Sequence, residues 1–192
     1  MEKFSLERAL SLESKYDDSL RTRPISPWLS KFVFYFSVIF AIYHYVTAGI
    51  GVPVDYWHMG AHISGVLILI FISFPAFKSS YDGDSPRKGI FSPLGVPFYD
   101  WALMIMGIAA SLYVGVTWYG FEINFFGFTY FIPEQVLRMG VPLPVDVVFG
   151  TLLIIVLLEA VRRTIGIIVP IIILIFIGYA VLGPHIPIQI LR

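Results

Sequence analysis

The chain has 192 residues, of which 57% are hydrophobic and 14% are charged, and its formal net charge is zero. Soluble domains carry about 25% charged residues, so this composition excludes an ordinary soluble domain and predicts a membrane protein in contact with lipid. The absence of cysteine excludes disulfides, thiolate catalysis and cysteine metal sites. The balanced charge gives no reason to expect a nucleic-acid partner.

The first 27 residues are mixed in charge and precede the first apolar run. Leu6, Ala9 and Leu10 share one face of a helix, but a glutamate interrupts this stripe one turn later. Residues 5–20 therefore form either an amphipathic helix on the membrane surface or an unstructured tail. The charge distribution of the whole chain predicts that this N-terminal segment, residues 1–27, is cytoplasmic.

Five apolar runs follow this segment. A helix needs about 20 apolar residues to cross a bilayer core of about 30 Å, and lipid offers no partner for unpaired backbone groups. The runs are 28–50, 56–77, 98–121, 145–161 and 164–182. Because the fourth is short and the fifth follows it almost directly, we predict an all-α integral membrane protein with about five transmembrane helices, four of them ordinary and the fifth a connecting helix.

Basic residues are distributed unevenly between the two sides of these spans. Of the 13 basic residues, only Arg138 and Arg192 fall on the side opposite the N-terminus. The other eleven are Lys3, Arg8, Lys15, Arg21, Arg23, Lys31, Lys78, Arg87, Lys88, Arg162 and Arg163. Cytoplasmic loops carry an excess of lysine and arginine, so the N-terminus is predicted to be cytoplasmic and the C-terminus outside.

The stretch "LLEAVRRTIG" places three charges between the fourth and fifth apolar runs. Glu159 precedes Arg162 by three residues and Arg163 by four, so all three side chains share one helix face. One interpretation is an exposed ion pair that closes the fourth helix, where arginine is favoured near the last carbonyl groups. The other is a partly buried clamp against another helix or subunit. The short link predicts either a tight hairpin or a continuous bent helix, and we expect partial shielding of the pair.

The segment between the third and fourth spans is rich in aromatic residues, namely Phe125, Phe126, Phe128, Tyr130 and Phe131. Such a segment is typical of an interfacial aromatic belt, and the alternative is a docking surface. Residues 133–140, "PEQVLRMG", begin with proline and end with glycine, which predicts a short helix there.

Sequence motifs for catalysis are missing from this chain. There is no Gly-rich phosphate loop, no HExxH, no nucleophile elbow and no pair of carboxylates within a span. Ionisable groups on a transport path usually lie near the middle of the membrane, whereas the charges of this chain lie at the span ends. We therefore expect no enzyme activity, no substrate or metal site and no transport path in this chain alone.

Three histidines within the spans suggest a different kind of protein. His58 and His62 share a helix face on the second span, and His44 lies on the first. Imidazoles on facing helices can hold a haem, which would make the chain a membrane anchor of a respiratory enzyme. The simpler interpretation is that each histidine bonds a neighbouring carbonyl group or lipid headgroup. A zinc site would lack a clear further ligand.

Three stretches carry a family resemblance: "HISGVLILIFISFPAFK", "FYDWALMIMGIAASLYV" and "LLEAVRRTIGIIVPIIILIFIGYAVLGPHIP". The positions that carry it are His62, Pro75, Lys78, Asp100, Tyr113, Arg138, Gly140, Asp146, Leu157, Leu158, Glu159, Ala160, Arg162, Arg163, Gly166, Gly183, Pro184 and Pro187. At these positions the chain resembles the small membrane part of tripartite ATP-independent periplasmic (TRAP) transporters, in their TAXI branch. The resemblance covers roughly residues 30–190, and the last stretch is its most specific part.

The resemblance implies a secondary transporter in the cytoplasmic (inner) membrane of a bacterium or archaeon, which imports an organic anion, such as a carboxylate, with an ion gradient. A periplasmic substrate-binding protein would deliver the substrate, and a large membrane subunit would bind both the substrate and the coupling ion, sodium or protons. This chain would then hold no cofactor and would act as a scaffold, either as a separate small subunit or as part of a fused chain. Seven of the positions that carry the resemblance are candidates for a structural or interface role, namely Glu159, Arg162, Arg163, His62, Asp100, Arg138 and Asp146.

Overall fold

A computed structural model describes residues 22–52, 54–77, 92–138 and 140–183. Three features of the sequence lie outside these described residues. They are the amphipathic segment predicted near the N-terminus, the loop that carries Lys78, Arg87 and Lys88, and the final prolines Pro184 and Pro187.

The described part of the chain is mostly helical. Four helices are long and apolar enough to cross a membrane, namely α1 (Pro27–Ile50), α2 (Asp55–Ser73), α3 (Phe98–Thr117) and α4 (Pro144–Thr164). The other elements are strands β1 (Phe121–Phe125) and β2 (Phe128–Ile132), the shorter helix α5 (Ile168–Leu182), and 3-10 turns at Pro93–Gly95 and Val136–Arg138. These four long helices make the chain compatible with a multi-pass membrane protein.

The helix ends differ from the predicted spans at positions with clear local causes. Helix α2 ends at Ser73 because Phe74 precedes a proline, and the residue before proline disfavours helical geometry. Helix α3 ends at Thr117, three residues before Gly120 takes a positive φ of 70°. Helix α4 continues beyond the predicted residue 161 and includes the charges of "LLEAVRR".

The link between the last two helices is a break of three residues, not a continuous bent helix. It spans residues 165–167, and Gly166 has a φ of 101°, a conformation that favours glycine. Pro170 lies in the first turn of α5, where its missing N–H costs no intrahelical hydrogen bond.

The prediction of an all-α protein was wrong between α3 and α4, where β1 and β2 form an antiparallel hairpin. Aromatic and β-branched residues favour strands, and the polar residues Glu122, Asn124 and Thr129 alternate with them. Phe126 and Gly127 form the two-residue turn with φ values of 48° and 82°, as a type I′ turn requires. The short helix predicted over residues 133–140 is confirmed in part, as a 3-10 turn at Val136–Arg138.

The chain divides into two compact units. One unit, Thr22–Leu157, holds α1 to α3, the hairpin and most of α4. Among the described residues, the other holds the last turns of α4 and helix α5.

Small residues let α2 and α3 pack closely within the first unit. A Cβ atom on Gly60 would lie 2.9 Å from the backbone oxygen of Ser111, and one on Gly115 would lie 3.0 Å from the backbone oxygen of Tyr56. The Ser64 and Ser111 hydroxyls are 2.7 Å apart at the centre of this contact. The pairing of early residues in one helix with late residues in the other makes the two helices antiparallel. Small residues that permit close backbone approach are typical of helix contacts in membranes.

Candidate functional site

The first cluster of functional interest is centred on Asp146, in the first turn of α4. Arg138 Nη1 donates to its Oδ2 atom, and Tyr113 from α3 donates to its Oδ1 atom at 2.6 Å. Gln135 makes a longer contact of 3.4 Å. The carboxylate also accepts the Leu143 backbone N–H at 2.8 Å, which caps the start of α4. The Asp146 carboxylate thus joins α3, the segment after the hairpin and α4.

The geometry around Arg138 explains how a residue outside the α-helices reaches this carboxylate. Its Nε atom donates to the carbonyl of Pro133 at 3.2 Å, which fixes the side chain across the turn. Gly140 follows with a φ of 93°, so the chain reverses before α4 begins. The side chains of Arg138 and Asp146 are only 11% and 9% exposed. Their pairing is therefore a shielded contact and not a surface ion pair.

A second shielded ion pair joins Arg23 to Asp100, in the first turn of α3. Both side chains are fully buried. Arg23 also donates through its guanidinium to the Phe74 carbonyl at 3.2 Å and through its backbone N–H to the Ser73 carbonyl at 2.7 Å. The backbone N–H of Ser26 donates to the Leu94 carbonyl at 3.1 Å. These contacts tie the segment before α1 to the end of α2 and the start of α3.

The third cluster is the acidic and basic triad of the last α4 turns. Glu159 accepts from Arg162 Nε at 2.7 Å and from Arg162 Nη2 at 2.8 Å, and it accepts from Arg163 Nε at 2.7 Å. The spacing argument for a shared helix face is thus confirmed. The Arg163 side chain is 1% exposed, whereas Glu159 and Arg162 are 24% and 30% exposed. The triad is partly shielded, as expected, and its buried member is Arg163.

This asymmetry predicts different coupling energies for the two arginines. A double-mutant cycle of Glu159→Gln and Arg163→Gln is expected to give a coupling energy of about 1–3 kcal/mol. This value lies between two limits: exposed pairs contribute about 0–1 kcal/mol, and breaking a buried pair costs about 3–5 kcal/mol. The matched cycle with Arg162→Gln should give less than about 1 kcal/mol. Reversible unfolding in mixed micelles measures both cycles. Equal coupling in the two would contradict the asymmetry.

The histidines form a connected cluster between α1 and α2. The His44 Nδ1 atom lies 2.8 Å from the Phe40 carbonyl oxygen, and the His44 Nε2 atom lies 2.8 Å from His62 Nδ1. His58 Nδ1 lies 2.7 Å from the Tyr43 hydroxyl. A carbonyl bond was expected and is found for His44, whereas His58 and His62 bond side chains. Among the described residues, no group of three or more His, Asp or Glu side chains has the geometry of a metal site.

The geometry of this cluster does not fit a haem. Two axial imidazoles need the iron and the macrocycle between their nitrogen atoms. Here the nitrogen atoms of His44 and His62 are 2.8 Å apart and bond each other directly. The Phe40 ring stacks on His62 with centroids 5.9 Å apart, which fills one side of that imidazole.

An apolar cavity of about 250 Å³ lies among α1, α2 and α3. It is lined by Trp28, Leu29, Phe32, Ile68, Ile72, Trp101, Met104 and Ile108. None of these residues is charged, whereas recognition of a carboxylate needs a cation or several convergent donors. The cavity therefore has the wrong chemistry for an organic anion.

No protein-family model, no curated protein and no solved structure matches this chain.

The structure places the seven residues proposed for a structural or interface role in four different places. Arg138 and Asp146 meet in one cluster, Glu159 meets Arg162 and Arg163 in another, Asp100 pairs with Arg23, and His62 bonds His44. Sequence reasoning missed Arg23, which was counted only among the cytoplasmic basic residues. It also missed the small-residue contact of Gly60, Ser64, Ser111 and Gly115, although their four-residue spacing was visible in the sequence.

Proposed function

We propose that this chain is the small membrane subunit of a TAXI-type TRAP transporter, which imports an organic anion with an ion gradient. In this role it is a scaffold in the inner membrane. It braces a large transport subunit, which binds the substrate and the coupling ion, and it faces a periplasmic substrate-binding protein.

The main support for this proposal is that the charged residues singled out by the resemblance form ion pairs within this chain. Asp100, Asp146 and Glu159 each bond an arginine of the same chain at a helix end. Such pairs fix helix positions and leave the carboxylates engaged, whereas a transport path needs ionisable groups that exchange partners near the middle of the membrane. This geometry therefore favours a structural role over a role in forming the transport path.

Exposed apolar surface supports a role within an assembly. Helix α5 has apolar residues on all sides, and exposed ones include Ile168, Leu174, Ile175 and Phe176. A helix that is hydrophobic all round is suited to lipid or to a partner helix. The tip of the hairpin adds Phe126 and Phe128, which are 88% and 80% exposed.

Reconstitution of transport tests the proposed function. Purified alone into liposomes, the chain is expected to take up no carboxylate under a sodium or proton gradient. Uptake should appear when the large membrane subunit encoded beside it and the corresponding binding protein are added. Uptake above that of empty liposomes by the isolated chain would overturn the scaffold role, and absence of uptake by the complete set would overturn the transporter assignment.

Labelling of single cysteines tests the proposed orientation, since the natural chain has no cysteine. Phe126→Cys, at the tip of the hairpin, is expected to react with an impermeant thiol reagent added to intact cells. Arg87→Cys should react only after the cells are opened, because the distribution of basic residues predicts a cytoplasmic position. The reverse pattern would invert the topology.

A further inference from the structure

The exposed imidazole of His62 carries a polar nitrogen that the surroundings of α2 must satisfy. His62 lies seven residues after Asp55, the first residue of α2, which corresponds to about 10 Å along the helix. A span of this length therefore places it within the hydrocarbon region. In that region a polar group without a partner is costly, and the group usually faces protein or a water-filled cavity.

The hydrogen bonds around His62 determine which of its two ring nitrogens carries a hydrogen. The Phe40 carbonyl only accepts, so His44 must carry hydrogen on Nδ1 to make its 2.8 Å bond. With both rings neutral, His44 Nε2 is then an acceptor, and His62 Nδ1 must donate to it across 2.8 Å. The remaining nitrogen of His62, Nε2, consequently carries a lone pair and no hydrogen.

The orientation of the ring is held by packing. The Phe40 ring stacks on His62 at an interplanar angle of 20°, and the His44 ring meets it edge to face with centroids 4.8 Å apart. Among the described residues, His62 Nε2 has no hydrogen-bond partner, and the His62 side chain is exposed. Gly60 and Ser64 of the same helix contact α3, whereas His62 contacts α1. The acceptor therefore lies on a face that α3 does not cover.

We propose that His62 Nε2 accepts a hydrogen bond from a side-chain O–H or N–H on a transmembrane helix of the large transport subunit, and that this bond sets the register between the two subunits. Lipid acyl chains have no donor, and a mobile water molecule cannot set a register between subunits, so the occupant that this proposal requires is a protein side chain that carries one. Interhelical hydrogen bonds of this kind are established contacts between membrane helices. The identity of the partner as the large subunit rests on the proposed function, whereas the need for a donor follows from His62 alone.

Two substitutions test the roles of the two ring nitrogens of His62 separately. The amide of asparagine occupies the position of Nδ1, so His62→Asn keeps a donor for His44 and loses the outer acceptor. The amide of glutamine reaches the position of Nε2, so His62→Gln keeps the outer acceptor and loses the bond to His44. The dissociation constant for the large subunit in detergent is expected to rise about threefold to tenfold for His62→Asn and to change less than twofold for His62→Gln. The opposite ranking, or equal values, would overturn the proposal.

Photocross-linking identifies the occupant directly. A benzophenone amino acid at position 62, in cells that express the chain with its neighbouring membrane subunit, is expected to give a cross-link to that subunit. The control is position 105, an exposed isoleucine of α3, where cross-links to lipid are expected. Cross-links from position 62 to lipid alone, or to a second copy of this chain, would overturn the proposal. If the complex shows no uptake yet position 62 still cross-links to the large subunit, the proposed transport function fails while the contact stands.

Discussion

Replacing Asp100 with asparagine is expected to lower the free energy of unfolding by about 3–5 kcal/mol, because the change leaves the Arg23 guanidinium buried without its carboxylate. Both side chains of this pair are fully buried. A bond to a carboxylate is about twice as strong as a bond to a neutral oxygen, such as the 3.2 Å bond that the arginine keeps to the Phe74 carbonyl. Reversible unfolding in mixed micelles, followed by circular dichroism, measures the change.

Two further variants make this expectation specific. Asp55→Asn removes an exposed carboxylate at the start of α2 and should change stability by no more than about 0.5 kcal/mol. The double variant Arg23→Met, Asp100→Leu removes both charges together, and replacement of a buried pair by apolar residues is often neutral or stabilising. It should therefore recover most of the stability lost in Asp100→Asn. Equal losses for Asp100→Asn and Asp55→Asn would show that the buried pair contributes nothing.

The contrast between Arg23 and Glu159 shows what a sequence can and cannot predict about such pairs. Glu159 and its arginines are three and four residues apart on one helix, so the helical period alone predicts their contact. Arg23 and Asp100 are 77 residues apart, and their contact depends on how α2 and α3 pack. No periodicity encodes that distance, so the sequence predicts for Arg23 only a charge on the side proposed to be cytoplasmic.

The hairpin was missed for a related physical reason. A run rich in phenylalanine beside an apolar span satisfies the hydrophobicity expected of a membrane interface as well as that of a strand. The residues that distinguish the two are few: alternation of polar residues such as Glu122 and Asn124, and the Phe126–Gly127 turn. Type I′ turns usually carry Asn-Gly. Because phenylalanine occupies the first turn position here, the usual sequence signal for a hairpin is missing. The four long helices were predictable because length and apolarity alone determine them.

Replacing Gly60 with leucine is expected to cost about 3 kcal/mol or more, because it inserts a side chain where α2 touches α3. Even a Cβ atom would lie 2.9 Å from the Ser111 backbone oxygen, and a helix backbone cannot move locally as a side chain can. Gly60→Ala should cost less. Alanine has the same close contact at its Cβ atom, but its helix propensity is about 1 kcal/mol more favourable than that of glycine and offsets part of the cost.

The matched control is Gly150, a helical glycine of α4 whose added Cβ atom would meet nothing within 4 Å. Gly150→Ala should therefore raise stability by up to about 1 kcal/mol, so the two alanine variants are expected to differ in sign. Unfolding in mixed micelles gives the sign directly. A stabilising Gly60→Ala would mean that the two helices separate without cost. In that case the close contact between α2 and α3 would not depend on the small residues of α2.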